Sequence, residues 1–116
     1  MIRHRLANRR THEIIAMEHD GQRYKIGVGR EIVCNGSCGA PPRLGGPVEI
    51  FLSAQKVDTQ ADVVVRDGAI LISLLLQYGC PPADIAHAMK RNPDGSPASP
   101  LGRAAAFLIE EGPRNA

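Results

Sequence analysis

The chain has 116 residues, 43% hydrophobic and 22% charged, the composition of one globular domain and an argument against both disorder and a two-domain enzyme. Only 3% are aromatic and none is Trp, so the core must be built from Ile, Leu, Val and Ala, and a stacking platform for single-stranded nucleic acid lacks its rings. The formal charge of +2 is uneven: Arg3, Arg5, Arg9 and Arg10 stand without an acid in residues 1–12, which gives that stretch +4 and the remainder −2.

Residues 1–10 read as a basic, flexible arm able to touch phosphates, and residues 11–112 as a single domain. Thr11 to His19 is compatible with a strand. Asp20-Gly21 then signals a hairpin, because a tight primed turn wants positive φ at both central positions. Tyr24, Ile26 and Val28 alternate with Arg23, Lys25, Gly27 and Gly29, the pattern of a half-buried strand. A third strand is predicted over Val48–Ser53, with Val48, Ile50 and Leu52 on one face. Between these strands, Glu31 to Gly46 holds four Gly, two Pro and two Cys and reads as an unusually long loop.

The second half is helical in pattern. Thr59-Gln60-Ala61-Asp62 resembles a capping box, and the helix it opens should reach Tyr78 and stop at Gly79 before Pro81 and Pro82. Apolar residues occupy nearly its whole circumference, with Val64, Ile70, Leu71, Leu74 and Leu75 as candidates for a core or oligomer face. Such a helix must be covered on more than one side, by a sheet and by a neighbouring helix or subunit. Pro81 to Lys90 predicts a short helix with Ile85, Ala86 and Met89 inward. Asn92 to Pro97 is a turn segment, and Ser99-Pro100 caps a last helix ending at Gly112-Pro113. Strands followed by helices indicate an α+β fold: a small antiparallel sheet of about three strands in residues 11–53, one long apolar helix and two shorter ones.

Cys34-Asn-Gly-Ser-Cys38 is the sharpest chemical candidate. Its two thiols could share a zinc ion, cycle as a dithiol, or simply be reduced cysteines in a loop. A zinc site would need completion by Cys80 or by His4, His12, His19 or His87, or across two subunits, since no second paired spacing exists. Asp84 and His87, three apart on the short helix, can meet on one face, but no nucleophile stands beside them; a surface pair is the simpler reading. Gly27-Val-Gly29 fails as a dinucleotide fingerprint, because Ile32 occupies the third glycine position and no helix follows. An odd cysteine count, a charged N-terminus and no apolar run long enough to span a bilayer predict a soluble, cytoplasmic protein with free thiols.

Three stretches together resemble the TSCPD domain: Gly46-Pro-Val-Glu-Ile-Phe-Leu-Ser53, Asp67-Gly-Ala-Ile-Leu-Ile-Ser-Leu-Leu-Leu-Gln-Tyr-Gly79 and Pro82-Ala-Asp-Ile-Ala-His-Ala-Met89. The closing Gly95-Ser-Pro-Ala-Ser-Pro-Leu-Gly-Arg103 looks like that family's last segment, and the resemblance covers about residues 22–110. TSCPD domains stand at the C-terminus of adenosylcobalamin-dependent ribonucleotide reductases and also occur as small separate proteins. The resemblance implies a self-associating accessory or binding module of deoxyribonucleotide synthesis, with a reductase chain as partner and no catalysis of its own. It carries over no catalytic residue: the Thr-Ser-Cys-Pro-Asp run is replaced by Ser96-Pro97-Ala98-Ser99-Pro100, and the reductase barrel is not in this chain. The residues leave two alternatives open: a nucleic-acid or nucleotide binder using the arginine arm, and thiol or zinc chemistry at Cys34 and Cys38.

Overall fold

The computed structural model describes residues 10–34, 43–56, 59–110 and 114–115, with side chains for 13–31, 45–56 and 59–109. Strand β1 (Arg10–His19) and strand β2 (Gln22–Cys34) form the expected hairpin, His19 opposite Gln22. Its turn takes Asp20 at φ 50° and Gly21 at φ 77°, the double positive φ that Gly accepts without steric cost. Strand β3 (Arg43–Ala54) pairs antiparallel with β2, and the two-residue β4 (Arg114–Asn115) adds to β3 at Arg43 and Leu44, giving the order β1-β2-β3-β4.

Two sequence expectations change here. The segment 31–46 is not one long loop: β2 continues to Cys34 and β3 begins at Arg43, so strand occupies both its ends. The pairing there is irregular, with register shifts after Gly29, Arg30 and Ile32. Pro47 sits opposite Arg30 and has no N–H to give the ladder, which accounts for irregularity on this stretch. The short β4 adds a strand beyond the three expected, and two residues carry no periodicity that could announce it.

Helices α1 (Gln60–Gln77), α2 (Pro82–Ala88) and α3 (Pro100–Glu110) follow in the expected places. Thr59 Oγ1 accepts from the Asp62 N–H at 3.3 Å and caps α1; Ser99 Oγ accepts from the Gly102 N–H at 3.0 Å and caps α3. Helix α1 ends in two tight turns, Gly79 N–H to Leu76 O and Cys80 N–H to Leu75 O. One face of the sheet and the three helices enclose the core of Tyr24, Ile26, Val28, Ile50, Leu52, Val65, Ala69, Ile72, Ile85, Ala86, Ala104, Ala105 and Leu108. At the crossing of α1 and α3, a Cβ on Gly68 would stand 2.4 Å from Leu101 Cδ1, so any larger residue there requires the Leu101 side chain to move. The fold is α+β, as the sequence indicates.

Two basic side chains are enclosed as well. Arg30, in line with Tyr24, Ile26 and Val28, is fully buried and donates from Nη1 to the Gly45 carbonyl at 3.1 Å. His19 at the hairpin end receives Arg103 Nε on its Nδ1 at 3.0 Å, tying β1 to α3 across 84 positions of sequence. The ring's Nε2 lies 3.3 Å from Asp20 Oδ2.

Candidate interaction surface

An edge strand presents unpaired N–H and C=O groups, and something must meet them. Here α1 does so. It lies along the outer edge of β3 and reaches that backbone with three side chains. Asp62 Oδ1 accepts from the Ala54 N–H at 2.8 Å. Ser73 Oγ accepts from the Ile50 N–H at 2.9 Å and donates to the Ile50 carbonyl at 3.0 Å. Gln77 Nε2 donates to the Val48 carbonyl at 3.3 Å. Asp62, Ser73 and Gln77 are spaced eleven and four, which sets them on one stripe of a helix with 3.6 residues per turn. Asp62 is fully buried, and its Oδ2 also takes Arg66 Nε at 2.8 Å, so the buried carboxylate is paired.

This placement decides what the rest of α1 faces. Beside the polar stripe, Val65, Ala69 and Ile72 turn into the core. The opposite side carries Val64, Leu71, Leu75 and Tyr78, spaced seven, four and three and thus also one stripe, and it stands in the open. Val64 is 53% exposed, Leu71 62% and Leu75 44%, while Ile70, further round the helix, is 58% exposed. Of the five residues expected to form a core or oligomer face, these four are therefore not core, and Leu74 is half-buried. The reason is geometric: a helix beside a sheet edge has one flank on the core and one on the edge, and α3 meets its remaining side at Gly68 through Leu101, leaving the apolar side chains on either side of that contact exposed. Scattered exposed apolar residues are ordinary, but a contiguous stripe of this kind marks an interaction site.

The other sequence candidates are dispersed. Arg3, Arg5, Arg9 and Cys38 lie outside the described residues; Arg10 opens β1 and Cys34 ends β2, and the side chains of both are outside them too. Among the described residues no group of three or more His, Cys, Asp or Glu gathers as a metal site. Cys80 is half-buried as a free thiol beside the Pro81 carbonyl. His19 is bound to Arg103, and His87 and Asp84 are both exposed on α2. No helix among the described residues is long and apolar enough to cross a membrane.

Sequence reasoning missed the edge-sealing set Asp62, Ser73 and Gln77. Its signal was present: three polar interruptions in an apolar helix fall on a single stripe, and a polar stripe that is not a solvent face needs backbone partners. Arg30 gave no such signal, because the charge continues an alternating strand beyond Val28. Comparison with protein-family models, with curated proteins and with solved structures finds no match to this chain.

Proposed function

We propose that this chain is a TSCPD-like accessory module that works by binding: it associates with itself through the outer stripe of α1 and docks onto a ribonucleotide reductase chain. The observation that carries the binding half is the stripe of Val64, Leu71, Leu75 and Tyr78, uncovered while the opposite flank of the same helix is fixed to β3. These four side chains form a mostly apolar exposed patch of the kind that marks an interaction site. Two copies pairing α1 against α1 about a two-fold axis would each cover the other's stripe, since a two-fold contact uses the same patch on both subunits.

The reductase half rests on the sequence resemblance of residues 46–53, 67–79 and 82–103. It is tested by capturing the tagged protein from its native cells and identifying what accompanies it, beside a form lacking residues 1–10. Enrichment of a reductase chain with both forms supports the reading. Nucleic-acid-binding proteins enriched only when the arginines are present, with no reductase, would refute it and transfer the role to the arm.

A further inference from the structure

The face of the sheet turned away from the helices carries a second feature, separate from the outer stripe of α1. Ile14, Gly27 and Phe51 stand opposite one another across the three strands, and Ala16, Lys25 and Ser53 form the next row. Helix α1, lying beside β3, raises a wall along these rows. Ile70 comes beside Phe51 and Arg66 beside Ser53, as the anchoring of Asp62 to Ala54 and of Ser73 to Ile50 requires. The result is a groove of about 720 Å³ lined by Ile14, Lys25, Gly27, Phe51, Ser53, Arg66, Asp67 and Ile70. That volume lies in the range of small-molecule sites.

Its two ends differ in chemistry. At one end, Gly27 has no side chain, and Phe51 leans over it with Cβ and Cδ2 3.5 and 3.6 Å from where a Cβ would stand. Ile14 and Ile70 flank that ring, which is 55% exposed. At the other end, Lys25 and Ser53 stand in one row across β2 and β3, and Arg66 lines the groove from α1. Arg66 is not a freely swinging surface cation, because the fully buried Asp62 carboxylate holds it at Nε. Asp67 also lines the groove, about 100° further round the helix than Arg66, away from Ser53. An apolar, ring-lined pocket next to two cations and a hydroxyl complements a flat apolar body that carries an anion.

We propose that the groove between Phe51 and Arg66 binds a small aromatic anion, its ring against Phe51, Ile14 and Ile70 and its carboxylate, sulfonate or phosphate on Lys25, Ser53 and Arg66. The probe is anilinonaphthalene sulfonate, compared with uncharged N-phenylnaphthylamine, which keeps the rings and lacks the anion. The sulfonate should bind at least ~10-fold more tightly, an advantage that salt and Lys25→Glu remove, because each acts on the charged end alone. Phe51→Leu should weaken both dyes, Asp67→Asn should strengthen the sulfonate, and Leu71→Glu, on the outer stripe, should leave both unchanged. The last variant separates this site from self-association, so either can fail alone. Displacement by adenosine monophosphate would assign the anion as phosphate and by phenylpropionate as carboxylate. Equal binding of the two dyes, loss of both in Leu71→Glu, or displacement by neither competitor overturns the proposal.

Discussion

Ser73→Ala tests how α1 is held. The Ser73 hydroxyl is on both backbone groups of Ile50, accepting at 2.9 Å and donating at 3.0 Å, and Ile50 is fully buried. Alanine removes one oxygen and leaves an N–H without its acceptor and a carbonyl without that donor at the sheet edge. A buried polar group left without its partner costs about 1–3 kcal/mol, and two such groups on one peptide segment set the upper part of that range. Alanine is the better helix former by roughly 0.5 kcal/mol, which offsets part of the loss. The net expectation is about 2 kcal/mol of destabilisation, or a fall of roughly 10 °C in Tm for a domain of this size. Urea unfolding followed by circular dichroism reads it, at one protein concentration because self-association would shift the midpoint. The midpoint should fall while the slope stays constant. His87→Ala, exposed on α2 and away from the outer stripe of α1, is the control and should move stability by no more than about 0.5 kcal/mol. If Ser73→Ala does no more than this control, side chains of α1 do not seal the edge of β3, and the account of why its outer stripe is uncovered fails with it.

Three further outcomes follow from single positions. Gly68→Val should destabilise by about 2 kcal/mol through its collision with Leu101, and Leu101→Ala should cost less in that background than alone, a coupling a double-mutant cycle reads directly. Gly21→Val should cost about 1–2 kcal/mol although the added side chain meets nothing within 4 Å, because the cost is the positive φ; Gly21→Asn should cost clearly less in the same melts. The hydrogen bonds from the Ser96 hydroxyl (2.6 Å) and the Ser96 N–H (2.9 Å) hold the Asp94 carboxyl below its ordinary pKa of 3.8. A folded-state pKa below the unfolded one gives a contribution that is present above the ordinary carboxylate range and lost as pH falls through the lowered value. A carboxyl-carbon titration should therefore show Asp94 below the ordinary value, and Ser96→Ala, which removes the hydroxyl and keeps the N–H, should return it part of the way; a midpoint unchanged by that substitution would contradict the assignment.

Local chemistry made much of this fold legible. The Asp20-Gly21 turn, the alternation of Tyr24, Ile26 and Val28, and the caps at Thr59 and Ser99 are each a residue type meeting a backbone need within a few positions, and each appears where the sequence places it. What the sequence did not disclose depends on partners far along the chain. Hydropathy states that α1 is apolar nearly all round, but not that it lies beside β3 instead of across the sheet; that follows from Asp62, Ser73 and Gln77 finding Ala54, Ile50 and Val48. The bond from Arg103 to His19 has no local trace in either segment. The glycines and prolines of 31–46 suggest a loop by composition, whereas β3 takes in Gly45 and Gly46 along its irregular stretch. The groove was illegible for a related reason: Gly27 reads as a weak strand position until Phe51 of the neighbouring strand is seen leaning over it.

Sedimentation equilibrium of the full chain at tens of micromolar, beside Leu71→Glu, tests the central claim most directly. The account predicts about twice the mass of one chain for the natural sequence, and a single-chain mass with unchanged circular dichroism for Leu71→Glu, which places a charge in the centre of the stripe. A natural protein that sediments as a single chain, or a Leu71→Glu form that remains associated, would contradict it: the outer face of α1 would not be the surface through which this protein pairs.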